Sequence, residues 1–82
     1  MQTVFPLAAL HSGQSGVIDH VDQQGAMYER LCDLGFTQGS VVTCLFSSLF
    51  GDPRAYRIRG SVVALRRSDA SLIRCRPCGG EP

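Results

Sequence analysis

A chain of 82 residues has room for one hydrophobic core, which excludes an enzyme cleft built between domains. With 44% apolar and 18% charged residues it is too apolar for disorder. Yet no apolar run nears the ~20 residues of a membrane-spanning helix, and no basic start precedes an apolar stretch as in a secretory leader. A cytoplasmic protein with no direct membrane insertion is therefore expected. The net charge is only +1, but all eight basic residues are arginine and all except Arg30 lie from Arg54 onward, so basic character is local. Four cysteines without an export signal are expected to be reduced thiols.

Residues 1–16 hold Pro6, Gly13 and Gly16 around an apolar piece at 7–10, the pattern of an opening strand or turn followed by a polar loop. Val17 to Val21 alternates and runs into Asp22-Gln23-Gln24-Gly25, a short strand ending in a turn. The period then changes. Met27, Leu31 and Leu34 fall at i, i+4 and i+7, so residues 26–34 form an amphipathic helix of two to three turns. Gly35 stands where a left-handed residue closes a helix, and Phe36 behind it can fold back on Leu31. After Gly39, Val41 to Phe46 suits a pleated, half-buried strand, with Val42, Cys44 and Phe46 on one face. Gly51-Asp52-Pro53 ends that strand in a turn.

Residues 55–67 contain two alternating runs separated by Gly60-Ser61, a pair suited to a type II′ hairpin turn. A turn there sets Arg59 opposite Val62, Ile58 opposite Val63, Arg57 opposite Ala64 and Tyr56 opposite Leu65. Tyr56, Ile58, Val63 and Leu65 then share the core face, and Arg57, Arg59 and Arg66 the other. Ser68 to Ser71 allow one helical turn capped by Ser68, and Leu72 to Arg76 a last strand. These elements predict a mostly β fold: a small SH3-like antiparallel β-barrel with one short α-helix after the first strands and a single-turn helix before the last strand. The barrel should occupy residues 1–76, leaving 77–82 as a flexible tail. An OB-like barrel is the alternative, although its helix usually falls later in strand order.

Arg30-Leu31-Cys32-Asp33-Leu34-Gly35-Phe36, Gly39, Gly51-Asp52-Pro53 and Tyr56-Arg57-Ile58-Arg59-Gly60, followed by Ala64-Leu65-Arg66-Arg67, Asp69-Ala70 and Ile73, resemble in order and spacing the FeoA family. The resemblance spans residues 13–76. It implies an SH3-like barrel that works on FeoB, the ferrous iron permease whose cytosolic part hydrolyses GTP. Related domains also close some metal-dependent repressors, but no DNA-reading helix-turn-helix precedes the barrel here. The Cys75-Arg76-Pro77-Cys78 run is not part of the family pattern.

Most residues of the pattern read as structural, because Leu31, Leu34, Phe36, Ile58 and Leu65 are core candidates and the glycines meet backbone demands. A barrel that recognises a protein would use loops and exposed arginines. The expected partner-binding residues are thus Leu49, Phe50, Asp52 and Pro53 in the long loop, with Arg57, Arg59 and Arg66 on the hairpin. Leu49 and Phe50 could equally tuck against the rim, and the arginines could serve solubility alone. Cys75 and Cys78 can pinch a metal between two thiolates, but a closed zinc site needs two more ligands. His11 and His20, with Asp22, could hold a divalent ion weakly or bridge two copies in a weak homodimer. No cofactor is required, and zinc or iron would be adventitious or regulatory. No nucleophile–base pair, carboxylate pair or phosphate-cradling loop is present, so no catalysis is expected. Direct iron or zinc handling and nucleic-acid binding are the competing functions, the latter weakened by the absence of tryptophan and by a core assignment for Tyr56.

Overall fold

The structure, a computed structural model, describes residues 3–22, 25–47 and 51–78. Six strands form one antiparallel sheet in the order β1-β6-β2-β3-β4-β5. They are β1 (Phe5–Pro6), β2 (Ser15–Val21), β3 (Val41–Ser47), β4 (Arg54–Ile58), β5 (Ser61–Leu65) and β6 (Ile73–Pro77). Helix α1 (Ala26–Asp33) joins β2 to β3, and the one-turn α2 (Arg67–Ala70) joins β5 to β6. β1 and β5 lie at the two ends of the strand order, so the sheet curls like a barrel without closing. The expected sequence of elements is present. The opening segment resolves into β1 and a 3-10 turn at Leu7–Ala9, and the last strand reaches Pro77, which pairs with Gly16.

One core fills the concave side. Leu7, Leu10, Ile18, Leu31, Phe36, Val42, Cys44, Tyr56, Ile58, Leu65, Ile73 and Cys75 are all buried in a single cluster. Met27 and Leu34 pack against it, so the i, i+4, i+7 stripe of α1 is its inward face. The radius of gyration, 11.7 Å, is about the value expected of a single domain of this length. At the end of α1, the Phe36 N–H donates to the Leu31 carbonyl (3.0 Å) and the Gly35 N–H to the Cys32 carbonyl (3.0 Å). This is the Schellman closure, with Gly35 at φ 109°. It folds Phe36 back onto Leu31, as the sequence pattern predicts, and both side chains are fully buried.

The β4–β5 hairpin forms, but its turn is Arg59-Gly60 and not Gly60-Ser61. Ile58 pairs with Ser61, Arg57 with Val62, Tyr56 with Val63, Ala55 with Ala64 and Arg54 with Leu65. Arg59 (φ 50°) and Gly60 (φ 80°) both take positive φ, the requirement of a type I′ turn, whose twist matches that of the strands. The register therefore differs by two residues from the expected one. A slip of two preserves the faces, so Tyr56, Ile58 and Leu65 still point into the core, with Val63 packed against it.

A second departure lies in β3. Cys44 pairs with Tyr56 but Phe46 with Ala55, so the register shifts by one residue at a bulge. Phe46 turns outward and is 60% exposed, against the expectation that it shares the face of Val42 and Cys44. The expected Ser68 cap is also absent: Arg66 occupies the N-cap position of α2 and gives no side-chain cap. Asp52 reaches across instead, its Oδ1 accepting the Arg67 N–H at 2.8 Å, and so satisfies a backbone donor of the first turn.

Candidate partner-binding surface

The outward face of β3, β4 and β5 is built from two cross-strand rows. Thr43, Arg57 and Val62 form one, and Phe46, Ala55 and Ala64 the other. Val62 and Phe46 are each 60% exposed, with Arg57 exposed beside them and Val41 half exposed at the start of β3. Two large apolar side chains and an arginine on a rigid sheet suit recognition of a protein, since the apolar groups lose water on contact and the guanidinium can fork onto a carboxylate.

The expected binding residues do not all gather here. Leu49 and Phe50 lie outside the described residues. Asp52 serves the start of α2 through Arg67, and Pro53 borders a concavity of about 340 Å³ shared with Met27, Leu31 and Leu65 of α1 and β5. Arg57 alone stands in the centre of the outward face. Arg59 is in the turn, where its chain lies over Gly35 so closely that a Cβ there would sit 2.7 Å from the Arg59 Cδ. Arg66 lies past the end of β5 at the start of α2, on the rim of the same concavity as Pro53. The three arginines therefore do not share one face, because the strand alternation that would align them ends at Leu65.

Phe46 and Val62 were missed by sequence reasoning. Strict alternation assigns Phe46 to the core, and nothing in the residues near 45 announces a bulge. Val62 reads as half-buried only if a further strand covers β5. Arg54 was missed too: it shares the inward face of Tyr56, and its Nη1 donates to the Ala8 and Leu10 carbonyls at 2.9 and 2.6 Å. These charge-assisted bonds tie the opening turn to β4.

The expected metal ligands are dispersed. Cys75 is fully buried, and burial, with the Asp19 carboxylate adding to it, pushes its thiol up to about 12. Strand alternation sends Cys75 inward as a core residue, while Cys78 beyond the strand is exposed. His11 is exposed at the turn before β2, where its N–H donates to the Gln14 Oε1. His20 lies between two carboxylates, its Nδ1 at 2.6 Å from the Asp19 Oδ2 and its Nε2 at 3.6 Å from the Asp22 Oδ1. Arg76 and Arg74 complete this chain of charges on Asp19 and Asp22. The His20 hydrogen bond, then the charges of His20 and Arg76, hold the Asp19 carboxyl below its ordinary value against the opposing effect of desolvation. Among the described residues, no three His, Cys, Asp or Glu side chains converge to hold a metal ion. Nor, among them, is any helix long and apolar enough to cross a membrane.

An open six-stranded antiparallel sheet wrapped on one core, with a capped helix on one crossover and exposed apolar side chains on its outward face, defines a small SH3-like domain. Residues 5–77 match the family model of the FeoA domain, and the chain belongs to that family. It is 37% identical over 67 residues to an Fe(2+) transport protein A/Fe(2+) transporter FeoB fusion protein of Porphyromonas gingivalis. That match covers 82% of this chain and 8% of the fusion protein, so the chain spans only a small part of that relative. The solution structure of FeoA from Chlorobium tepidum superposes with a TM-score of 0.87 at 27% identity, covering 95% of this chain and 74% of the other. FeoA of Stenotrophomonas maltophilia, crystallised with zinc and described as a prokaryotic SH3 domain protein, gives 0.76 at 27% identity, covering 84% and 86%. The chain is thus a domain of a family associated with ferrous iron transport.

Proposed function

We propose that this chain is a non-catalytic cytoplasmic accessory domain of ferrous iron uptake, which binds and modulates the cytosolic GTPase region of a FeoB-type permease. The observation that supports it is the fusion protein, in which a segment like this chain is continuous with an Fe(2+) transporter FeoB. Covalent linkage raises the effective concentration of two modules that must meet, so a fused pair points to contact between its members. In this reading the contact face is the Phe46, Arg57 and Val62 surface, with Leu49 and Phe50, which follow β3 in sequence, as further contacts. Its exposed apolar groups supply affinity, and its arginine selects an acidic partner. Neither a cofactor, a metal nor nucleic acid takes part in the contact.

The test is calorimetric titration of the chain with a FeoB cytosolic GTPase region. Phe46→Ala and Arg57→Glu should each weaken binding by about tenfold or more, equivalent to ~1.4 kcal/mol. Binding by the parent that neither substitution changes would remove this face from the interface, and no binding by the parent would overturn the proposed function.

A further inference from the structure

β5 ends the strand order at one side of the sheet, and no strand among the described residues pairs with its free side. In a hairpin closed by a two-residue loop, the pair flanking the loop, here Ile58 and Ser61, exchanges hydrogen bonds and the next pair does not. Val62 and Ala64 consequently aim their N–H and C=O groups away from β4, along the free edge. Ser61, Val62 and Ala64 are all exposed, so that edge is accessible over most of its length. Native edge strands are usually blunted by proline, by lysine or by a covering element. β5 carries no proline and no charge in Ser61-Val62-Val63-Ala64-Leu65.

A second feature lies beside this edge. The concavity of about 340 Å³ between α1 and β5 is floored by Met27, Leu31 and Leu65 and rimmed by Arg30, Arg66 and Asp69. A strand laid against β5 would send alternate side chains over this floor and the others beside Val62, because side chains alternate across a sheet. Arg59 precedes the edge and Arg66 and Arg67 follow it, with Arg57 in the neighbouring row. Asp69 is the one acid on the concavity's lining, and the strands β4 and β5 contain none. A second copy of the same strand would bring arginines against arginines, whereas acidic flanks would meet them favourably.

We propose that β5 is a docking edge, which takes up an extended partner segment by strand addition, the segment being apolar at alternate positions and acidic at its ends. The backbone supplies affinity, the α1–β5 concavity selects an apolar side chain, and the arginines select the acidic flanks. This deepens the proposed function, on which it rests only for the source of the segment.

Amide hydrogen exchange by NMR tests it with two synthetic peptides, each a six-residue alternation of valine and threonine flanked by two glutamates or two lysines. The glutamate peptide should slow exchange at the Val62 and Ala64 amides by about tenfold or more, while the Val63 and Leu65 amides, already turned toward β4, change little. The lysine peptide should leave all four unchanged. Ala64→Pro deletes an outward N–H at a position where an edge strand tolerates proline, and it should abolish the effect while the remaining amide spectrum stays native. If that variant does not fold, Arg30→Glu with Arg66→Glu, both exposed, should remove the preference for the glutamate peptide. The docking edge is overturned if the glutamate peptide leaves Val62 and Ala64 unprotected, if both peptides protect equally, or if protection rises with chain concentration alone, which would mark pairing with a second copy. Failure of the GTPase region to bind, with the peptide result intact, would instead overturn only the proposed source of the segment.

Discussion

Replacing Gly35 by alanine perturbs the helix stop and the hairpin turn together. At φ 109° an L-residue is outside its ordinary range, and holding it there costs about 1–3 kcal/mol. The added methyl would also lie 2.7 Å from the Arg59 Cδ and 3.2 Å from its Cγ. That side chain is flexible, so it would swing away at a cost of about 1 kcal/mol, at the low end for an overpacked contact. The sum, about 2–4 kcal/mol, is a large part of the stability of a domain this small. It corresponds to a fall in Tm of roughly 8–32 °C, taking about 4–8 °C per kcal/mol. Urea denaturation of the parent, Gly35→Ala, Arg59→Ala and the double variant would separate the two costs. The double variant should recover about 1 kcal/mol relative to the sum of the singles, the coupling expected of residues in contact. A Gly35→Ala protein within 0.5 kcal/mol of the parent, to take a rough mutational noise level, would refute the backbone argument. Strict additivity of the two singles would refute the steric one.

Two further outcomes are expected. Since Asp19 titrates below the ordinary 3.8 in the folded chain, its pairing stabilises the fold above that pH, and the contribution is lost as pH falls through the lower folded value. Asp19→Asn should therefore destabilise near neutrality and flatten the loss of stability in the window below 3.8, measured by denaturation at successive pH values; an unchanged acid limb would count against the His20 and Arg76 pairing. For the thiols, Cys78 in the native chain should react quickly with a disulfide reagent, whereas Cys75, buried and pushed up to about 12, should react only on unfolding. Rapid modification of Cys75 in the native chain, followed by mass spectrometry of its peptides, would contradict the core assignment.

Family, element order and core were legible in the residues because each rests on a local signal. The i, i+4, i+7 stripe of Met27, Leu31 and Leu34, the Gly35-Phe36 stop and the alternation of residues 55–65 each declare one element and its buried side. The hairpin register was not legible, because Arg59-Gly60 and Gly60-Ser61 can both be read as two-residue turns and the faces survive a slip of two. The turn is decided by twist and by pairing with β3, where Val42 meets Ile58.

The candidate site was less legible than the fold. Sequence pattern alone set the composition of the surface, a hairpin rich in arginine with apolar groups nearby, because charge and hydrophobicity belong to residues individually. Which of those residues act together was settled by tertiary structure: the β3 bulge turned Phe46 out beside Ala55, the end of β5 separated Arg66 from Arg57, and strand parity buried Cys75 away from Cys78. The bulge and the strand ends are fixed by pairing with a neighbouring strand, and a period read along one segment contains no information about its neighbour across the sheet.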